Sequence, residues 1–347
     1  MRRLGAAVMA LVLCACSGGP TNADVVQSMA NGALIPAMEA ASVQAAALET
    51  AVSDFCFRPT VESQEAAHEA WRATKQAWQR SILTTWFGPA QMLRTVSHVD
   101  YEPIDEEGID ELLVSPEVLD VDYMTNQAAA TQRGLGSIEY LLFDNLQRAG
   151  DPRVCEMMMS TASVVASETF ALETAWTDTY EDGSPFVERF LGETMTPEVA
   201  MANSISAIVE TLKQMSLFQI GKALGISAQE PSIEAIPEGR AGFAGDAYVA
   251  QLESIRSLLD GGGEASLGAL IDSRSAEISD EIDDHLAAAI AELEGIDAPL
   301  RQVAADSPGD LQSTYDHLSE LLRIFEADVV SLLDITLGFS DADGDTG

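Results

Sequence analysis

The chain has 347 residues, carries 56 acidic against 18 basic side chains, and is 47% hydrophobic but only 6% aromatic. That length fits one large or two modest domains with a real core. A net charge of −38 excludes a general nucleic-acid binder, because neutralising phosphate needs clustered Lys and Arg, and it disfavours a broad docking surface for anionic lipid. The charge favours solubility and tolerance of salt, at some cost in self-repulsion. Abundant Ala and Leu with sparse Tyr and Trp favour a mainly helical protein.

The first residues, MRRLGAAVMALVLCAC, place two arginines before a short apolar run and a small residue before a cysteine. The run falls short of the roughly 20 residues a permanent span needs. Leu13-Cys14-Ala15-Cys16 has the form of a lipobox, so 1–15 is expected to be a signal peptide and Cys16 to carry lipid. An ordinary secretory signal cleaved nearby is the alternative. No Asp follows Cys16, which points to the periplasmic side of the outer membrane, and 16–24 reads as a flexible tether. Export leaves Cys56 and Cys155 in the mature body. Two cysteines in an oxidising compartment suggest one disulfide; two buried free thiols are the alternative.

In chain order, the spacing predicts a helix over 23–55, interrupted or kinked near Pro36, and a second over 61–84 with Thr60 as N-cap. Trp71, Trp78 and Ile82 share one face of that second helix, and Arg72, Lys75 and Gln79 form a neighbouring stripe. Residues 86–110 lack periodicity and read as a long ordered loop, the kind of segment that tends to be functional. Ser115-Pro116 and Asp151-Pro152 both read as a cap followed by Pro at the first helical position. Helices follow over 152–179, 197–224, 246–260, 264–273, 275–294 and 308–335. The polar, Pro-containing connector 226–242 separates an N-terminal bundle (25–225) from a C-terminal bundle with an acidic tail (243–347). No segment reads as strand. The expected fold is all-α, about eight helices in two antiparallel bundles.

Chemistry-bearing patterns are few. The four histidines, His68, His98, His285 and His317, offer no H-E-x-x-H helix, and there is no G-x-S-x-G elbow or P-loop. His317 with Glu320 reads as a polar helix edge, and Glu277-Glu281-His285 as part of a solvated acidic face. Asp341, Asp343 and Asp345 read as an acidic terminus rather than an EF-hand. One segment differs: Gly134-Leu-Gly136-Ser-Ile-Glu139-Tyr140 puts a carboxylate within an apolar run behind two glycines. The glycines permit close approach of a ligand or backbone, and Glu139 needs a partner or ligand to offset burial. Arg72 or another basic residue is the charge-matched partner expected for it.

These residues resemble the imelysin family. Gly134 to Phe143 is similar to its G-x-H-x-x-E segment, and Trp71-Arg72, Trp78 and Phe87-Gly88-Pro89 are similar to its tryptophan helix and F-G-P turn. The closing segment, the lipobox and the positions of Cys56 and Cys155 extend the resemblance to roughly 25–347. It implies two four-helix bundles with pseudo-twofold similarity and an envelope role linked to iron uptake, with metallopeptidase activity described for some relatives. Gly136 stands where the motif has its histidine, and Leu83 or Thr84 where the family often has Glu. Specific metal sites need several matched ligands, so a divalent metal or iron resting on Glu139 alone would be held weakly. The expectation is therefore a noncatalytic binding lipoprotein anchored through Cys16, taking iron or another metal and working with uptake partners. The alternatives are a metallopeptidase, in which His68, His98 or another group replaces the missing histidine, and a structural or assembly lipoprotein. The expected cleft gathers Arg72, Phe87, Gly88, Pro89, Gly134, Gly136, Glu139, Tyr140 and, from the second half, Arg240.

Overall fold

The computed structural model describes residues 20–181 and 183–337. The signal peptide, Cys16 and Asp341 to Asp345 lie outside the described residues. Of the described residues 77% are helical, and none of them forms a strand. The segment expected as a tether is helical from Asn22 onward, because Thr21 and Asp24 close a reciprocal capping box.

Eight principal helices carry the fold: α1 Ile35–Phe57, α2 Val61–Arg80, α3 Gly134–Leu142, α4 Pro152–Thr177, α5 Pro197–Lys213, α6 Ala244–Asp260, α7 Ala276–Glu294 and α8 Gly309–Arg323. Local chemistry sets their starts. Thr60 caps α2 and bonds reciprocally with Ser63, while Asp151 and Thr196 cap α4 and α5 with Pro at the first helical position. A wide π turn, Ala30–Leu34, joins the helix Asn22–Met29 to α1 without a break, and Pro36, which has no N–H to donate to the preceding turn, follows directly after it.

Helix α1 packs against α2 and α4, and α3 packs on α2 and α4, which makes the first group of four. In the second group α7 packs against α6 and α8, and α5 against α8. Helix α6 also lies along α2, so the buried apolar side chains of both groups form one continuous cluster, from Trp71 and Trp176 to Tyr248 and Phe325. Cys56, in the last turn of α1, is bonded to Cys155, in the first turn of α4, with a Cα separation of 5.4 Å.

Two local expectations are corrected. Residues 86–110 are not simply loop: they hold short helices Pro89–Leu93 and Val96–Val99 and the start of Glu106–Val114, the last capped by Asp105. Each is too short to show a helical period. Ser115-Pro116 starts no helix; Ser115 ends Glu106–Val114, and the next helix is capped by Asp120.

Candidate functional site

The glycines of the 134–139 segment determine what surrounds it. Gly134 has φ +82°, and a Cβ there would lie 2.7 Å from the Val99 carbonyl oxygen. A Cβ on Gly136 would meet Ile104 Cγ2 at 2.6 Å and Glu102 Oε1 at 3.1 Å. The close approach these glycines permit is therefore made by the chain's own segment 98–104. Trp71 Nε1 donates to the Leu135 carbonyl at 2.8 Å and locks α2 to α3.

That packing brings three carboxylates, Asp100, Glu102 and Glu139, around Lys75. Trp71, Lys75 and Gln79 follow one another at four-residue intervals along one face of α2. Lys75 Nζ lies 2.6 Å from Asp100 Oδ1 and 3.8 Å from Glu102 Oε1, with the lysine and Asp100 side chains 8% and 4% exposed. Gln79 Nε2 donates to the other Asp100 oxygen at 2.8 Å, and Gln251 Nε2 of α6 donates to Gln79 Oε1 at 2.6 Å. Burial works against the Lys75 charge, but Asp100, Glu102 and Glu139 outweigh it and raise its pKa. Burial pushes the Glu102 carboxyl up to about 7, assisted by Asp100 and Glu139 and opposed by Lys75.

Glu139 is buried, and the connector lies across it. The Ala241 N–H donates to Glu139 Oε1 at 2.7 Å, and a Cβ on Gly239 would sit within 2.4–2.6 Å of the Glu139 carboxylate atoms. Burial raises the Glu139 pKa, against the Ala241 hydrogen bond and Lys75. Glu238, the residue before Gly239 on the connector, accepts from the backbone N–H groups of Leu300 and Arg301 at 3.1 and 2.8 Å, at the start of helix Leu300–Asp306.

The residues expected in the cleft divide. Arg240 is brought to Tyr140, its Cζ 4.1 Å from the ring centroid, and its Nη1 donates to Asp144 at 2.8 Å. The Tyr140 hydroxyl donates to Asp110 at 3.0 Å. Arg72 does not pair with Glu139; its guanidinium lies 5.0 Å from the Phe143 ring centroid instead. Neighbouring residues on a helix point about 100° apart, so Trp71, by facing α3, turns Arg72 aside. Phe87, Gly88 and Pro89 do not join the site either. Phe87 packs with Trp176 and Phe190 at centroid distances of 5.8 and 5.9 Å, and Gly88, at φ +67°, abuts Phe186.

The sequence reading missed Lys75, Asp100, Glu102 and Gln251. Lys75 alone had a signal, a cation in register with a buried tryptophan; the two acids lie on a segment without periodicity. His68 stacks on Phe143 at 4.1 Å with Nε2 3.1 Å from the Leu142 carbonyl, and His98 Nδ1 lies 3.2 Å from the Arg94 carbonyl. His285, read as part of an acidic face, and His317, read as a helix edge, face each other with their Nδ1 atoms 2.8 Å apart. Among the described residues no group of three or more His, Cys, Asp or Glu is disposed to hold a metal ion. The residues around Glu139 do not fit one, because an ammonium sits among the carboxylates and Asp100 and Glu139 are already engaged. A cavity of about 370 Å³ lies elsewhere, between α1, α2 and α6, lined by Gly32, Gln44, Gln76, Arg80 and Ser257.

A two-bundle helical protein with a buried acidic centre on its third helix is the class this geometry defines. The chain belongs to the imelysin family, whose model matches residues 34–325. It is 24% identical over 239 residues to iron-regulated protein A of Synechococcus elongatus, a match covering 66% of this chain and 62% of that protein. Its fold is similar to the crystal structure of an iron-regulated protein A precursor from Parabacteroides distasonis (TM-score 0.78, 17% identity, 92% of this chain and 96% of that one). It is also similar to the crystal structure of an imelysin-like protein from Psychrobacter arcticum (TM-score 0.77, 20% identity, 93% of this chain and 100% of that one).

Proposed function

We propose that the chain is an envelope-anchored, noncatalytic binding lipoprotein of imelysin type that serves acquisition of iron or another metal. The observation that carries the noncatalytic part is the closure over Glu139: the Ala241 N–H occupies its oxygen and Gly239 packs on its carboxylate. A carboxylate that is to act as a base on substrate or water must reach it within hydrogen-bond distance. Here the connector backbone lies against the carboxylate instead. The iron-related part rests on family membership and on a relative named for iron regulation. Anchoring at Cys16, on the periplasmic side of the outer membrane, rests on the lipobox.

Three measurements test this reading. The purified mature chain should release no peptides from casein, with or without chelator. A strain lacking the protein should grow poorly on limiting iron and be rescued by the wild-type gene. Rescue should fail with Cys16→Ser, which removes the lipid site. Casein turnover lost with chelator would establish the peptidase alternative, and normal growth on limiting iron would remove the iron role.

A further inference from the structure

We propose that the Lys75 ammonium is the permanent cation of this family site, standing where a metalloprotein would hold a divalent metal, so that the native cluster takes up none. The proposal goes beyond the noncatalytic reading, since a binding protein could still carry a structural metal beside Glu139.

Four features carry it. Lys75 Nζ contacts carboxylates from the 98–104 segment, at 2.6 Å for Asp100 and 3.8 Å for Glu102, and it is attracted electrostatically to Glu139 on α3. The acids are already committed: Asp100 uses one oxygen on Lys75 and the other on Gln79, which Gln251 holds in turn. Glu139 accepts from the Ala241 N–H. The position of the motif histidine is filled as well, since a side chain on Gly136 would collide with Ile104 and press on Glu102. The absent imidazole and the incoming Glu102 are thus two parts of one packing arrangement. It exchanges a metal-ligating ring for a third acid and leaves the counter-charge to lysine. A divalent ion entering beside Lys75 would meet its full positive charge at short range in a poorly screened interior.

The experiment compares the mature chain, stripped of metal, with Lys75→Met and Lys75→Arg. Thermal melting and metal uptake are measured with Mn²⁺ and Zn²⁺ as the probes. The wild type should take up neither ion stoichiometrically and melt at the same temperature with or without them; Lys75→Arg should behave alike. Lys75→Met leaves the acids without their counter-charge. It should melt lower at about pH 8, recover as Glu102 protonates below about pH 7, and be raised by Mn²⁺ at neutral pH. If Lys75→Met fails to fold, Lys75→Met/Glu102→Gln should restore folding by removing one surplus charge. Stoichiometric uptake by the wild type that Glu139→Gln abolishes would overturn the proposal. So would a Lys75→Met chain as stable as wild type across this pH range and indifferent to Mn²⁺, or a double variant that still does not fold. Metal-independent casein turnover would refute the noncatalytic reading and leave the assignment of Lys75 intact.

Discussion

Changing pH across the range in which Glu102 titrates should alter the stability of this protein in a direction set by the buried cluster. The Glu102 carboxyl rises from 4.5 to about 7, chiefly through burial and further through Asp100 and Glu139. A rise of that size is worth about 3 kcal/mol. The side chain keeps 29% of its exposure, and solvent screening reduces the figure to about 1–2 kcal/mol. The folded state binds this proton more tightly than the unfolded state, so the contribution is fully present below about pH 4.5 and is lost as the pH climbs through about 7. A chain carrying 56 acidic residues will lose stability toward alkaline pH for general reasons too. The informative quantity is therefore the difference between wild type and Glu102→Gln, whose amide stays neutral throughout. Melting temperatures should coincide near pH 4.5 and separate by roughly 1–3 °C near pH 8, with the variant higher. Parallel curves, or a wild type that gains on the variant at alkaline pH, would show that Glu102 is not held in this environment.

The other predictions concern neighbouring contacts. Glu139→Gln keeps an acceptor for the Ala241 N–H and should change stability by no more than about 1 kcal/mol, whereas Glu139→Ala orphans that buried donor and should lose about 1–3 kcal/mol in chemical denaturation. Restoring the motif histidine as Gly136→His should destabilise by about 1–3 kcal/mol or more, because Ile104 and Glu102 occupy its space; an unchanged melting temperature would refute that packing. Thiol titration of the unfolded, unreduced mature body should find neither Cys56 nor Cys155 free. Reduction should lower stability by about 4–5 kcal/mol, since the bridge closes a separation of 99 residues.

The sequence by itself determined the helical class, because periodicity, capping residues and Pro placement all act within a few residues of one another. Thr60, Asp151 and Thr196 begin helices where local hydrogen bonding requires it. The pattern Gly134-x-Gly136-x-x-Glu139 marked the centre of the site by the same local logic, an acid in an apolar run behind two glycines. Only the tertiary structure decided what meets that acid. Arg72 and Lys75 both lie close to Trp71 in sequence, and spacing alone does not say which cation turns inward. The Trp71 bond to Leu135 fixes the rotation of α2, sending Lys75 to the carboxylates and Arg72 to Phe143. Asp100 and Glu102 arrive from a segment whose short helices leave no periodic trace. Gln251, Gly239 and Ala241 come from beyond the midpoint of the chain, where α6 and the connector return to α2 and α3. Encounters over such separations are set by how whole helix faces bury their apolar surface, which no short window of sequence contains.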